Sequence, residues 1–169
     1  MLEFLQSRYS VRKYSDKPIE DEKTEKILKA AMAAPTARNC QPQKIFVLKS
    51  QEARDKLAKV TPCTFNAPVV FVIGYDKTRA AAGKVREGFS FGDTDAAIVG
   101  THMMLEACSL GLGSCWVGWF SEQEVRDALG IEENISVCAL LPVGYAADDA
   151  VPGPGHTACR DMSEVVEIL

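Results

Sequence analysis

The chain has 169 residues, enough for one domain with a substantial core, and its 47% hydrophobic and 25% charged residues are those of an ordinary globular protein. A net charge of -4 argues against a nucleic-acid binder, since the basic cluster Arg8, Arg12 and Lys13 is too small to form a basic face. No apolar run reaches the roughly 20 residues of a membrane span, and Glu3 followed by Asp16, Glu20, Asp21 and Glu22 breaks any secretory signal, so a cytoplasmic location is expected.

In chain order, Leu2–Gln6 reads as a short helix leading into Ser7-Arg8-Tyr9-Ser10-Val11-Arg12-Lys13-Tyr14. Residues two apart in extended backbone share a face, so Arg8, Ser10 and Arg12 converge there. Two guanidinium groups and a hydroxyl suit one phosphate; a solvated basic loop is the plainer alternative. A helix is predicted from about Asp21 to Ala33, with Ile27, Leu28, Ala31 and Met32 on one side. Pro35-Thr36-Ala37-Arg38-Asn39-Cys40-Gln41-Pro42 breaks it with an exposed polar turn, followed by a strand over Ile45–Leu48. Ser50 caps a helix through about Val60, with Leu57 and Val60 facing inward. Val69–Ile73 is apolar on both faces and reads as a central strand.

The longest predicted helix runs from Asp93 to near Gly111. Between Asp95 and Met104 it carries no charge beyond what His102 can hold, so it is expected to be buried on more than one side, at a subunit interface as well as in the core. Gly111-Leu112-Gly113 ends that helix and enters a strand, the reverse of the order that a dinucleotide fingerprint needs. A strand is predicted over Ser114–Phe120, then a helix opened by a capping box at Ser121-Glu122-Gln123-Glu124 and closed at Gly130. Ile135–Leu141 is a further buried strand, followed by a Gly/Pro-rich loop from Ala146 to Gly155. Glu164–Ile168 reads as an edge strand or an arm reaching a partner chain.

The six cysteines form no CxxC pair and have no histidine at ligand spacing, so free thiols and no metal site are expected, with Cys108 and Cys138 as small core residues. His102 and His156 have no nucleophile partner by spacing, and no catalytic side chain is assigned. Alternating helices and strands predict a layered α/β arrangement, which pattern alone does not separate from a flavodoxin-like fold.

Three segments, taken in order, resemble the nitroreductase family of FMN-dependent oxidoreductases: Arg8-Tyr9-Ser10-Val11-Arg12, the Pro35–Pro42 turn, and Gly111-Leu112-Gly113-Ser114-Cys115-Trp116-Val117-Gly118. The likeness continues through Leu140-Leu141-Pro142-Val143-Gly144-Tyr145 and covers the chain as a single domain, 1–169. It implies an α+β fold with a mixed sheet sandwiched by helices, and a homodimer with FMN at its interface. Arg8, Tyr9, Ser10 and Arg12 would hold the phosphate, and Arg160 aligns with a basic position that the family uses for the same group. Pro35, Thr36, Asn39 and Gln41 would belong to a turn that crosses to the partner's flavin, with Asn39 at the ring's polar edge; Arg38 departs from the small or polar residues common there. Trp116 and Gly118 would lie beside the ring, the Gly118 amide meeting its reactive nitrogen, while Trp119 is read first as a core aromatic. Asn39 as a plain turn cap and Arg160 as a surface residue are the structural alternatives.

A departure from larger relatives is the short connection from about Lys77 to Phe91, with no room later for their helical lid. The implied activity is hydride transfer from NADH or NADPH through FMN to a nitroaromatic, quinone or similar acceptor. A flavin-binding storage or redox-sensing protein, and a cofactor-free interaction domain, are the competing readings. The colour of the purified protein and its reduction by a nicotinamide cofactor discriminate among them.

Overall fold

The strand predicted to be central is the axis of the fold. In the computed structural model, which describes residues 1–83 and 89–169, β2 (Val69–Asp76) is buried at every position except Asp76. It pairs antiparallel with β1 (Gln43–Leu48) on one side and β4 (Ile135–Gly144) on the other. The two-residue β3 (Gly113–Ser114) completes a sheet of order β1-β2-β4-β3. All four strands are antiparallel, and the parallel component is a single bridge from Ser10 to Ser114 that carries the sheet past β3.

Period-two alternation sends the side chains of β2 to opposite faces. Phe71, Ile73 and Tyr75 join Ile27 and Ala31 of α2 (Asp21–Ala33) and Ala96, Val99 and Met103 of α4 (Phe91–Ser109). Val70 and Val72 join Leu57 of α3 (Gln51–Ala58) and Val125 of α5 (Glu122–Leu129). The sheet is therefore sandwiched by helices, as the α+β reading requires. Short helices α1 (Leu2–Ser7) and α6 (Met162–Val165) lie at the two ends of the chain. Among the described residues, no helix is long and apolar enough to cross a membrane.

Local chemistry sets the boundaries. α4 starts two residues before the predicted Asp93, because Ser90 accepts the Asp93 amide at 3.2 Å and acts as its cap. It ends in a left-handed Gly111 (φ 74°), with the Leu112 amide bonded back to Ala107 at 2.9 Å, as the two glycines suggested. Ser50 and Ser121 cap α3 and α5 as predicted, and Gly130 (φ 66°) ends α5.

Four expectations need correction. Met32 is 63% exposed, since the buried stripe of α2 runs through Thr24, Ile27 and Ala31 and Met32 lies one step round the helix. The strand predicted over Ser114–Phe120 is only β3 plus an isolated bridge from Val117 to Leu140, because the chain leaves the sheet edge after Ser114. Trp119 is 78% exposed rather than a core aromatic. The C-terminal segment forms one helical turn capped by Asp161 and, among the described residues, pairs with no strand, which overturns the edge-strand half of the expectation and leaves an arm reaching a partner chain as an expectation. The connection at Lys77–Phe91 includes residues 84–88, which lie outside the described residues.

Candidate functional site

The N-terminal basic segment is held flat against the sheet edge. Val11 donates its amide to the Ser114 carbonyl at 3.0 Å, beside the Ser10–Ser114 bridge. Gly113 permits this approach: a Cβ there would meet Val11 Cγ2 at 2.5 Å. On its other side the segment receives the Gly/Pro-rich loop. The Ala147 amide donates to the Lys13 carbonyl at 3.0 Å, Tyr14 bridges to Ala146, and Lys13 pairs with Asp149.

The result is a cleft of about 360 Å³ lined by Arg8, Tyr9, Ser10 and Arg12 on one wall and by Gly153–His156 on the other. Arg8 and Arg12 form no ion pair with a carboxylate among the described residues; Arg12 makes only a 3.4 Å hydrogen bond to the Ser10 carbonyl. Two guanidinium groups with no carboxylate partner among the described residues, a hydroxyl and a glycine-rich backbone are the donor set that a phosphate monoester needs. These residues fit the phosphate end of a nucleotide cofactor. The second wall was not picked out in the sequence. Its signal was the run of Gly153, Pro154 and Gly155, and His156 packs edge-on to Tyr9 with ring centroids 6.0 Å apart. Arg160 does not line the cleft and is exposed just ahead of α6.

The second predicted group lies apart from this cleft. None of Pro35, Thr36, Asn39 and Gln41 is among the residues lining it, and Gln41 borders a different hollow with Met32 and Asn134. The turn is tightly built. Thr36 Oγ1 accepts the Gln41 amide at 3.0 Å, and Asn39 Oδ1 accepts Gln41 Nε2 at 3.1 Å. Arg38, Asn39 and Gln41 all have left-handed backbones, at φ 54°, 53° and 48°. For residues other than glycine such conformations cost about 1–3 kcal/mol each, so the surroundings must impose them. One contact that sequence reasoning missed ties the turn to α4: the buried carboxylate of Asp95 accepts the Ala37 amide at 2.8 Å.

The third group also leans on α4. Trp116 is half-buried, and a Cβ on Gly100 would overlap its ring at Cζ3. Gly118 is exposed, and a Cβ there would meet nothing closer than Trp116 Nε1 at 3.9 Å. Among the described residues nothing crowds a side chain at 118, and no acceptor takes the Gly118 amide.

Buried acids beneath this region are kept neutral. Burial pushes the Tyr14 hydroxyl, bonded to the carbonyls of Val11 (2.8 Å) and Pro142 (3.1 Å), well above the ordinary tyrosine range. Burial likewise raises the thiols of Cys115 and of Cys138, the latter aided by its 3.3 Å hydrogen bond to Asp93. Of the two cysteines expected in the core, both are half-buried, and Cys115 is the buried one. Each of these groups is neutral when protonated and has a higher folded than unfolded pKa. Their stabilisation is therefore complete below the unfolded value and is lost progressively as pH rises from there through the higher folded value. The urea midpoint should hold from neutrality and fall above roughly pH 8.5, the ordinary thiol pKa. Cys138→Ala should flatten that fall. Among the described residues, no group of three His, Cys, Asp or Glu is placed to hold a metal ion.

The nitroreductase family model matches residues 5–64 and 61–145, which span the basic segment, the 35–42 turn, α4 and the Trp116–Gly118 segment. The chain belongs to the nitroreductase family. It is 34% identical, over 88% of its length and 86% of the relative's, to an Archaeoglobus fulgidus protein assigned as an NADH dehydrogenase/NAD(P)H nitroreductase. A nitroreductase family protein from Clostridium difficile 630 superposes with a TM-score of 0.90 at 33% identity, covering 99% of this chain and 96% of that one. An FMN-dependent nitroreductase from Clostridium difficile R20291 does so with a TM-score of 0.78 at 28% identity, covering 97% and 94%. The family match ends at Tyr145, ahead of both Arg160 and the Gly153–His156 wall of the cleft.

Proposed function

We propose that this nitroreductase family member is an FMN-dependent NAD(P)H oxidoreductase that works as a homodimer and passes electrons to a nitroaromatic, quinone or similar electron-poor acceptor. The observation that carries the reading is the cleft in which Arg8 and Arg12 converge with Ser10 and meet no carboxylate among the described residues. Relatives assigned as NAD(P)H nitroreductase and FMN-dependent nitroreductase support the same cofactor and donor. When bound, FMN supplies the hydride-accepting and hydride-donating chemistry. The chain's own residues bind and orient it. Arg8, Ser10 and Arg12, with Tyr9 beside them, take the phosphate, and Arg160 joins them if the segment after His156 turns back toward the cleft. The open Gly118 amide and Trp116 lie beside the ring. Thr36, Asn39 and Gln41, with Pro35 opening their turn, reach the partner's flavin.

The phosphate assignment has a direct test. Riboflavin lacks the phosphate, so it should bind more weakly than FMN by roughly 3 kcal/mol or more, about two orders of magnitude, if at least two charge-assisted hydrogen bonds are lost. Fluorescence-quenching titrations with the two flavins measure the gap. Equal affinities would remove the cleft from the cofactor site.

Dimerisation is supported by what a single chain leaves uncovered. Ala97, Thr101, Leu105 and Cys108 form a face of α4 that is exposed or only half-buried. Trp119, Met162, Ile168 and Leu169 are at least 75% exposed. These exposed apolar residues support a partner-covered surface. Sedimentation at low protein concentration should show a dimer, and a folded, flavin-loaded monomer would contradict the shared site.

A further inference from the structure

We infer that Asp95 is a positioning residue for the oxidoreduction, acting through the 36–41 turn; the inference rests on the reading that this turn contacts a flavin. Asp95 is 2% exposed, in a helical stretch otherwise almost free of charge. One carboxylate oxygen accepts the Ala37 amide at 2.8 Å, and the other is buried with no hydrogen-bond partner. A buried carboxylate that serves a single backbone amide is an expensive way to support a loop, because an uncharged acceptor would do the same with less desolvation. Its return is the placement of the turn that begins at Ala37.

Ala37 opens the turn, and the next residues, Arg38, Asn39 and then Gln41, are held left-handed. Among the described residues, the remaining hydrogen bonds within residues 36–41 are internal: Asn39 amide to Thr36 carbonyl at 2.9 Å, Cys40 amide to Ala37 carbonyl at 3.1 Å, Gln41 amide to Thr36 Oγ1 at 3.0 Å, and Gln41 Nε2 to Asn39 Oδ1 at 3.1 Å; just beyond them the Pro42 carbonyl accepts the Asp76 amide at 2.9 Å. The internal bonds fix the shape of the turn without fixing where it sits. The carboxylate is the tie from the start of the turn to α4, the same helix on which Trp116 packs through Gly100. Asp95 thereby sets the place of Asn39 and Gln41 on the helix that also supports the Trp116–Gly118 segment.

The test uses Asp95→Ala, Asp95→Asn, which keeps an acceptor for the Ala37 amide, and Ala37→Pro, which deletes the donor and sets a ring carbon against the Asp95 carboxylate, so that the tie is broken from the turn's side. Proline is tolerated at the first position of a helical turn, and Thr36 already has the extended backbone (φ -131°, ψ 155°) that a residue before proline adopts. Two readouts are needed. Trypsin cleavage after Arg38, followed by mass spectrometry on flavin-free protein, reports the turn alone. The visible spectrum of bound flavin and its rate of reduction by NAD(P)H report the site.

Asp95→Ala and Ala37→Pro should each speed cleavage after Arg38 by about tenfold or more, as expected on losing one buried charge-assisted hydrogen bond. Both should shift the flavin spectrum and slow reduction by about tenfold or more, and Asp95→Asn should restore both readouts. Unchanged cleavage overturns the tie between Asp95 and the turn. Faster cleavage with wild-type spectrum and reduction rate overturns the positioning role. If Asp95→Ala does not fold, Ala37→Pro decides by the same criteria. Wild type that binds no FMN would instead defeat the proposed function, leaving cleavage after Arg38 to decide the Asp95 link by itself.

Discussion

Arg8→Ala/Arg12→Ala should lose FMN affinity by about 3–6 kcal/mol, two to four orders of magnitude, while riboflavin affinity stays near the wild-type value. Each guanidinium contributes roughly 1.5–3 kcal/mol as a hydrogen-bond donor to a charged group, and adjacent donors on one phosphate need not add fully. The double substitution suits the question because neither side chain supports the fold. Arg8 is half-buried and Arg12 exposed, and among the described residues their one side-chain hydrogen bond is the 3.4 Å contact of Arg12 to the Ser10 carbonyl. Parallel titrations with FMN and riboflavin check the result. A matching loss for both flavins would mean that the substitution had damaged the ring site or the fold, and that the phosphate lies elsewhere.

Gly74→Ala is expected to have the largest effect on stability. The pairing of β2 with β4 slips between Ile73, opposite Ala139, and Gly74, opposite Val137, so that Cys138 is the extra residue of a bulge. Because of this, the β4 backbone presses against Gly74. A Cβ there would overlap the Ser136 carbonyl oxygen and come within 3.1 Å of its carbon and 3.3 Å of Val137 Cα. All three are backbone atoms in the middle of the sheet, so no side-chain rotation relieves the clash. The cost should be about 3 kcal/mol or more, a large share of the roughly 5–15 kcal/mol that holds a typical domain together. Urea denaturation of the two proteins measures it. A loss below about 1 kcal/mol would mean that the bulge can shift register cheaply.

The elements most legible in the sequence were those whose pattern matched their surroundings. Val69–Ile73 is apolar on both faces because it has a strand on each side and helices above and below. Asp21–Ala33 was bounded correctly because its end is set by Ala34 and Pro35, which the chain itself announces. Ser50, Ser121 and Gly130 act locally, and local chemistry is visible in one dimension. The misses share a different cause. Trp119 looks like a core residue by type, but its exposure is decided by where the chain goes after leaving the sheet edge at Ser114. Met32 was misplaced by a single helical step.

Arg8, Ser10 and Arg12 were legible as one face, and they line one wall of the cleft, because extended backbone places residues two apart on the same side. The opposite wall, Gly153–His156, is brought there by long-range contacts of Lys13 and Tyr14 with residues more than 130 positions away, which no local pattern encodes. Asp95 was passed over for a related reason. Its partner is the Ala37 backbone amide, and a backbone donor carries no signature in the sequence.

Anaerobic rapid mixing of the FMN-reconstituted protein with NADH and, separately, with NADPH tests the central claim most directly. With one FMN bound per chain, at least one of the two donors should bleach the flavin absorbance in a rapid, saturable phase, and a quinone or nitroaromatic should restore it. A protein that takes up FMN but is reduced by neither donor would contradict the account and support a storage or sensing role; one that binds no FMN would contradict it altogether.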